Sequence, residues 1–296
     1  MSHPLSIIGA PSSAGAYAPG QEKAPEAFRR HGLIRALMRR GQPVNDRGDV
    51  IGFRWRPDPA RPKAMNCDAV VRTATAVADL VADALASDEA AVILGGDCTV
   101  ELGTVAGALR GGGSVGMVYI DLDTDLNPPQ ASVGALDWTG VAHLLDIPGA
   151  DSLLSALGPQ RPMLAPADIL YFGTDNITAG EARTMSELRL EQISLVEVKA
   201  DPERAAKRAV AWATAHDRLV VHLDVDVLAF TDFPIAENTR RRPGLTLEEL
   251  TISLSLLLAA HNWRALTITE VNPDHAPDEA QAFRLLNQML CRALVP

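Results

Sequence analysis

Three aspartates, Asp121, Asp123 and Asp125, alternate in the segment "VYIDLDTDLNPP", just where an apolar run ends. A second pair, Asp224 and Asp226, closes the run "RLVVHLDVD", and "VILGGDC" ends a third run on Asp97 and Cys98. A fourth, "ALTITEVN", ends around Glu270. No Lys or Arg lies between Arg110 and Arg161 to neutralise the first cluster. Carboxylates that converge repel one another unless a proton or a cation sits among them. Oxygen-rich donor sets suit hard divalent ions such as Mg or Mn, and a thiolate such as that of Cys98 shifts preference toward Zn or Fe. Each residue alone has a plainer reading. A D-x-D at a strand end is usually a solvated loop or a helix cap, and a lone cysteine usually packs as a small apolar side chain. Glu270 alone could pair with an arginine, and His222, two residues before Asp224, reads as a core histidine with satisfied hydrogen bonds. The recurrence of the pattern argues for metal chemistry.

The elements that must position these residues are strands alternating with helices. Leu5–Ala10, Ala90–Gly96, Ser114–Asp121, Asp168–Asp175, Gln192–Val198, Arg218–Asp226 and Ala265–Asn272 read as strands, several of them near-continuously apolar, as parallel strands covered on both faces are. Helical spacing marks "PEAFRRHGLIRALMRRG", "DAVVRTATAVADLVADALASD", "DPERAAKRAVAWATAH", "TLEELTISLSLLLAAH" and "DEAQAFRLLNQMLCRAL". Repeated β-then-α units imply a doubly wound parallel sheet. Ligands of such sheets bind outside the carboxyl ends of the strands, so all four acidic segments project toward one rim. Residues two apart on a strand point the same way, which pairs Asp224 with Asp226 and Asp121 with Asp123. The Pro-containing stretches, among them 128–140 and 230–244, read as loops of a single domain over residues 1–296.

Composition narrows the function classes. The 296 residues are 47% hydrophobic and 22% charged, with a formal net charge of -10, a balance that argues against nucleic-acid or anionic-membrane partners. Cys67, Cys98 and Cys291 make no disulfide framework in a chain of this size and read as reduced thiols of a cytoplasmic protein. The start "MSHPLSIIGAP" lacks the basic region of a signal peptide, and the longest apolar tract is far short of a membrane span.

Several ordered motifs resemble those of the ureohydrolase family of arginase, agmatinase and formiminoglutamase, from end to end of the chain. "VILGGDCTVELGT" is similar to the family's G-G-D-H motif and "DLDTDLNPPQASVG" to its D-A-H-x-D-x-N motif. "VHLDVDVLAFTDFP" resembles its S-x-D-x-D segment, and "RPGLTLEEL" and "LTITEVNP" its closing stretches. The resemblance implies an arginase-like α/β fold, a three-layer α/β/α sandwich with a central, mainly parallel sheet. It also implies two manganese ions, a trimer or hexamer, and hydrolysis of the C–N bond of a linear amidine or guanidino substrate, releasing an amine. By position it makes Asp121 and Asp224 bridging carboxylates, and Asp125 and Asp226 terminal metal ligands. Cys98 and Asp123 fill the remaining two ligand places. Asp125 would also hydrogen-bond the attacking hydroxide, Glu270 would pair with the guanidinium, and Asn127 and Ser132 would hold the substrate's other end.

The departures carry as much information. Cys98 and Asp123 stand where the family has histidines, one for each metal, and His222 and Ala229-Phe230 also depart from the pattern. The family's acid/base histidine has no clear counterpart; Asp137 is nearest by position, with His143 a few residues on. Five carboxylates against two divalent ions leave one excess negative charge even with a neutral thiol, and such electron-rich ligands make bound water less acidic. Two readings compete on this footing. One is a metal-dependent hydrolase with an atypical site, in which Mn gives way to Fe, Zn or Mg. The other is a repurposed protein of the same fold without the dimanganese centre: a pseudoenzyme, a regulatory partner, or a catalyst of different chemistry on a guanidine-derived or amine ligand.

Overall fold

A computed structural model of the chain describes residues 3–128, 133–240 and 242–295. Eight strands form one sheet: β1 Leu5–Gly9, β2 Val44–Asp49, β3 Ala90–Leu94, β4 Val115–Ile120, β5 Ile169–Phe172, β6 Glu191–Ile193, β7 Arg218–Asp224 and β8 Trp263–Thr269. Their order is β2-β1-β3-β8-β7-β4-β5-β6, and every pairing is parallel. Helices cover both faces, which gives the three-layer α/β/α sandwich and explains why the central strands are buried throughout.

Alternation along the strands divides the core in two. Val118, Ile120, Val221 and Leu223 pack on one face with Phe28, Leu250, Leu254, Phe283 and Leu290 of the covering helices. Met117, Tyr119, Val220 and Ile93 pack on the other, with Val77 and Val81 of the helix Cys67–Ala86 and Val105 of the helix Val100–Arg110. At roughly 25 cal/mol per Å² of apolar surface, this two-sided burial is the main force holding the strand ends in place.

The structure differs from the sequence expectation at three elements. The expected strand Gln192–Val198 is a strand only to Ile193; Leu195–Ala200 is helical. Ser194 accepts the Glu197 N–H and Glu197 reaches back to Ser194, a capping box that starts a helix inside an apolar run. The segment read as one helix from Pro25 is two, Ala24–Arg30 and Leu33–Arg39, broken where Gly32 takes a left-handed φ of 85°. Strand β2, "VNDRGD", lies at the sheet edge with little buried surface and so lacks an apolar signature. Among the described residues no helix is long and apolar enough to cross a membrane.

Candidate functional site

The four strands that end in acidic segments, β3, β8, β7 and β4, are neighbours at the centre of the sheet. Their register brings the ends level: Leu94 pairs with Ile268, Asp224 with Thr269, and Ile120 with Leu223. Asp121 therefore emerges beside Asp224, and Glu270 beside the turn that carries Cys98. That turn depends on glycine. A Cβ on Gly96 would lie 1.7 Å from the Ser12 carbonyl oxygen, so no other residue lets the two backbones approach this closely. Asp97 does not face the rim ligands. It accepts hydrogen bonds from the N–H groups of Gly15 and Thr99 and shapes the turn, and burial raises its pKa to about 6.

One ligand atom from each of Asp121, Asp224 and Asp226 falls within a sphere where all lie within 4.8 Å of one another, and the same holds for Cys98, Asp121 and His222. The Cys98 thiol donates to Asp224 Oδ2 at 3.2 Å. Asp224 Oδ1 accepts the Asp226 N–H at 2.7 Å, and Asp121 Oδ1 the Asp123 N–H at 2.6 Å. Asp121 Oδ2 and Asp226 Oδ1 are buried with no hydrogen-bond partner among the described residues. Burial, with Asp224 and Asp226 beside it, pushes the Asp121 carboxyl well above its ordinary range. Burial and then Asp226 do the same to Asp224. Burial and Asp224 raise the Cys98 thiol. Crowded carboxylates with unpartnered buried oxygens need protons or cations, and this oxygen-rich set with one thiol fits divalent metal.

Beside this cluster opens a cavity of about 410 Å³, lined by Asp125, Asp137, Glu237 and Glu270 together with Tyr17, Trp138 and Arg240. Glu270 sits at a left-handed φ of 60°. Its Oε1 accepts the Cys98 N–H at 2.9 Å and its Oε2 accepts from Gln21 Nε2 at 3.0 Å. Each oxygen keeps capacity for a further hydrogen bond, and Glu270 lines the cavity. Asp125, also left-handed at φ 48°, accepts from the Tyr119 hydroxyl at 2.6 Å. Asp137 is buried, accepts among the described residues from the neighbouring Trp138 N–H, and is pushed up by burial and by Glu270. Arg240, exposed at the mouth, is the single cation among the described residues that line the cavity.

The structure brings together Cys98, Asp121, Asp125, Asp224, Asp226, Glu270 and Asp137. Asp125, expected as a terminal metal ligand, lines the cavity but stands outside both metal-compatible groups, and so does Asp123. Asp123 Oδ1 is held by Asn176 Nδ2, and burial and then Asp226 raise the Asp123 pKa to about 7. Asn127 donates to Glu181 at 2.7 Å in an adjoining recess that it shares with Asp123, Asn176, Thr178 and Arg240. His143 is not brought to the cavity. Its ring is buried on the helix Gly140–Leu144, with Nδ1 on the Thr139 carbonyl oxygen at 2.7 Å. Ser132 lies outside the described residues. Sequence reasoning passed over Glu237, Tyr17 and Arg240, which no strand-end pattern marks. It also set His222 aside as a satisfied core residue, whereas its Nδ1 has no hydrogen-bond partner among the described residues and its Nε2 lies 3.5 Å from Cys98 Sγ.

The chain is similar to proteins already described. Arginase-1 of Rattus norvegicus is 27% identical over 301 aligned residues, which cover 98% of this chain and 91% of the relative. Arginase of Brevibacillus brevis is 27% identical over 281 residues, 92% of each chain. The solved arginase of Bacillus subtilis superposes with a TM-score of 0.88 over 99% of both chains at 22% identity, a likeness of fold. The family model described as "Arginase family" matches residues 3–295. With the four acidic strand ends side by side and that match running through nearly every residue, the chain belongs to the arginase family.

Proposed function

We propose that the protein is a metal-dependent hydrolase that cleaves the guanidino C–N bond of a small substrate. The observation that carries this reading is the pairing of a metal-compatible carboxylate cluster with Glu270, a buried carboxylate lining a chamber whose only lining cation among the described residues is Arg240 at the mouth. Divalent ions held by Asp121, Asp224, Asp226 and Cys98 would supply the positive charge that makes water acidic enough to act as a nucleophile near neutral pH. Glu270 would bind the guanidinium through two parallel N–H···O bonds and fix the carbon beside the cluster. Asp125, anchored by Tyr119, would hydrogen-bond and orient the attacking oxygen. Asp137, a buried acid lining the same cavity, would hold the proton that the departing amine takes as the C–N bond breaks. Tyr17 and Trp138 line the cavity with ring centroids 6.1 Å apart and would flank a bound substrate. The recess formed by Asn127, Asn176, Thr178 and Arg240 supports a substrate whose far end is polar, with a carboxylate facing Arg240.

The test is a urea assay on a panel of guanidino compounds, run after separate loading with Mn, Zn, Co and ferrous iron. Urea and the matching amine should appear only with metal. A protein that binds metal yet releases neither urea nor ammonia from any member of the panel would sink the proposal. One observation favours the second reading, guanidinium binding without hydrolysis: Asp123 is tied to Asn176 instead of joining the cluster. Metal-independent binding of a guanidinium ligand, lost in Glu270→Gln, would support it.

A further inference from the structure

Glu101 is fully buried in the first turn of the helix Val100–Arg110, and neither of its oxygens has a hydrogen-bond partner among the described residues. A buried carboxylate in that condition is costly, and a helix N-terminus offsets only part of the cost. The space is kept open for it: a Cβ on Gly140 would lie 2.1 Å from Oε1. What Glu101 does face is His222, whose Nδ1 stands 3.3 Å from Oε2, just short of hydrogen-bond geometry. His222 is itself fully buried, stacked on Tyr119 with ring centroids 4.5 Å apart.

The other edge of the ring points at the rim. Nε2 lies 3.5 Å from Cys98 Sγ and 3.4 Å from Thr269 Oγ1. A thiolate at about 2.3 Å and an imidazole at about 2.0 Å on one tetrahedral zinc stand about 3.5 Å apart. Asp121, whose Oδ2 is buried and unpartnered, completes a group with Cys98 and His222 in which the ligand atoms lie within 4.8 Å of one another. Metal-bound histidines almost always pass their second N–H to a carboxylate, carbonyl or water. Glu101 occupies that place. The same alignment would serve a thiol nucleophile, but Cys98 Sγ packs against Asp224 Oδ2 at 3.2 Å, a contact that opposes a free thiolate and suits a shared cation.

We propose that His222, Cys98 and Asp121 form a mixed nitrogen–sulfur–oxygen position for a borderline-soft divalent ion such as zinc, cobalt or ferrous iron, with Glu101 orienting the His222 ring from behind. Asp121, Asp224 and Asp226 form a second position of oxygen alone. The two positions differ in softness, so they load in sequence, the sulfur-containing one first. This rests on the hydrolase reading only in placing divalent ions at the rim. Spectra as expected without urea release would defeat that reading alone. Urea release with neither sulfur nor imidazole on the ion would defeat this one alone.

The experiment strips the full-length protein with chelator and titrates it with Co²⁺. A sulfur-to-cobalt charge-transfer band should grow with the first equivalent and not with the second. Cys98→Ser should abolish the band. His222→Gln should weaken the first equivalent at least about tenfold, and Glu101→Gln by about 10- to 100-fold with the band retained; circular dichroism melts check that each variant folds. Where a variant does not fold, X-ray absorption of the wild-type protein with one equivalent of zinc decides, with one sulfur and one imidazole expected on the ion. A first equivalent that binds without the band, a folded His222→Gln that binds like wild type, or an ion with no imidazole overturns the proposal.

Discussion

Glu270 is held in a conformation that costs a non-glycine residue about 1–2 kcal/mol, and its two oxygens are aimed by Gln21 and by the backbone of Cys98. That investment makes sense for a group whose charge is used in the cavity. Glu270→Gln keeps the shape, and Gln21, whose Oε1 is otherwise unpartnered, can turn its amide over to match. The loss is then confined to charge-assisted hydrogen bonds worth about 3 kcal/mol. We expect kcat/KM on a guanidino substrate to fall on the order of 10²-fold with the melting temperature not lowered; a variant within twofold of wild type would remove Glu270 from guanidinium binding. Asp123 makes the complementary case. Because it is tied to Asn176 outside the metal-compatible groups, Asp123→His should strengthen binding of a second ion while leaving the first untouched, read as the second phase of a calorimetric Mn²⁺ titration.

Two turns show how local sequence places these groups. Gly96 must stay bare because the Ser12 backbone passes over it. Gly96→Ala is expected to cost about 3 kcal/mol or more, at the upper end of single substitutions, and to disrupt metal binding by moving Cys98. Denaturant midpoints and metal stoichiometry on the surviving folded fraction check both halves. The second turn is at Ser194, where an apolar stretch leaves the sheet and becomes a helix. Ser194→Ala removes the cap and should cost about 1 kcal/mol; an unchanged urea midpoint would mean that the cap does not start this helix. "QISLVEV" shows why a strand is expected over the whole of 192–198 where the structure ends it at Ile193. Its alternation of apolar and polar residues suits a strand, and only the Ser-x-x-Glu spacing within it announces a helix.

Across the whole molecule the buried carboxylates make stability depend on pH and on metal. A carboxyl whose folded pKa exceeds its unfolded value keeps its proton in the folded state over the interval between them, so stability falls as pH rises through that interval. Asp123 is raised from 3.8 to about 7, and Asp121, Asp224 and Glu270 are raised well above their ordinary values. His222, lowered to about 3 by burial, acts in the opposite sense below its ordinary pKa of 6.5. From about pH 6.5 upward the carboxyl effect therefore acts without the His222 effect against it. The chelated protein should lose melting temperature across that range. Saturating divalent ion should flatten or reverse the slope, because ions replace the protons. A chelated protein that gains stability over the same range would contradict the cause assigned to these shifts.

The α/β class, the shared rim and most of the carboxylates that gather there were legible in the sequence, because parallel strands write themselves as apolar runs and these carboxylates stand where the runs stop. The residues Asp121, Asp125, Asp224, Asp226 and Glu270 needed nothing more than that rule and the motif resemblance. His222, Glu101 and Arg240 did not yield to it. His222 shares a face with Asp224 one step down β7, and nothing in "VVHLDVD" tells a core histidine from a ligand. The difference lies in what stands on either side of the ring, and those neighbours, Cys98 and Glu101, are more than a hundred residues away in the chain. Apolar runs along the sequence determined where the strands end and which segments reach the rim. Only the tertiary structure decided which of them meet, because contacts between β3, β4, β7 and β8 follow from strand order and register, and local sequence encodes neither.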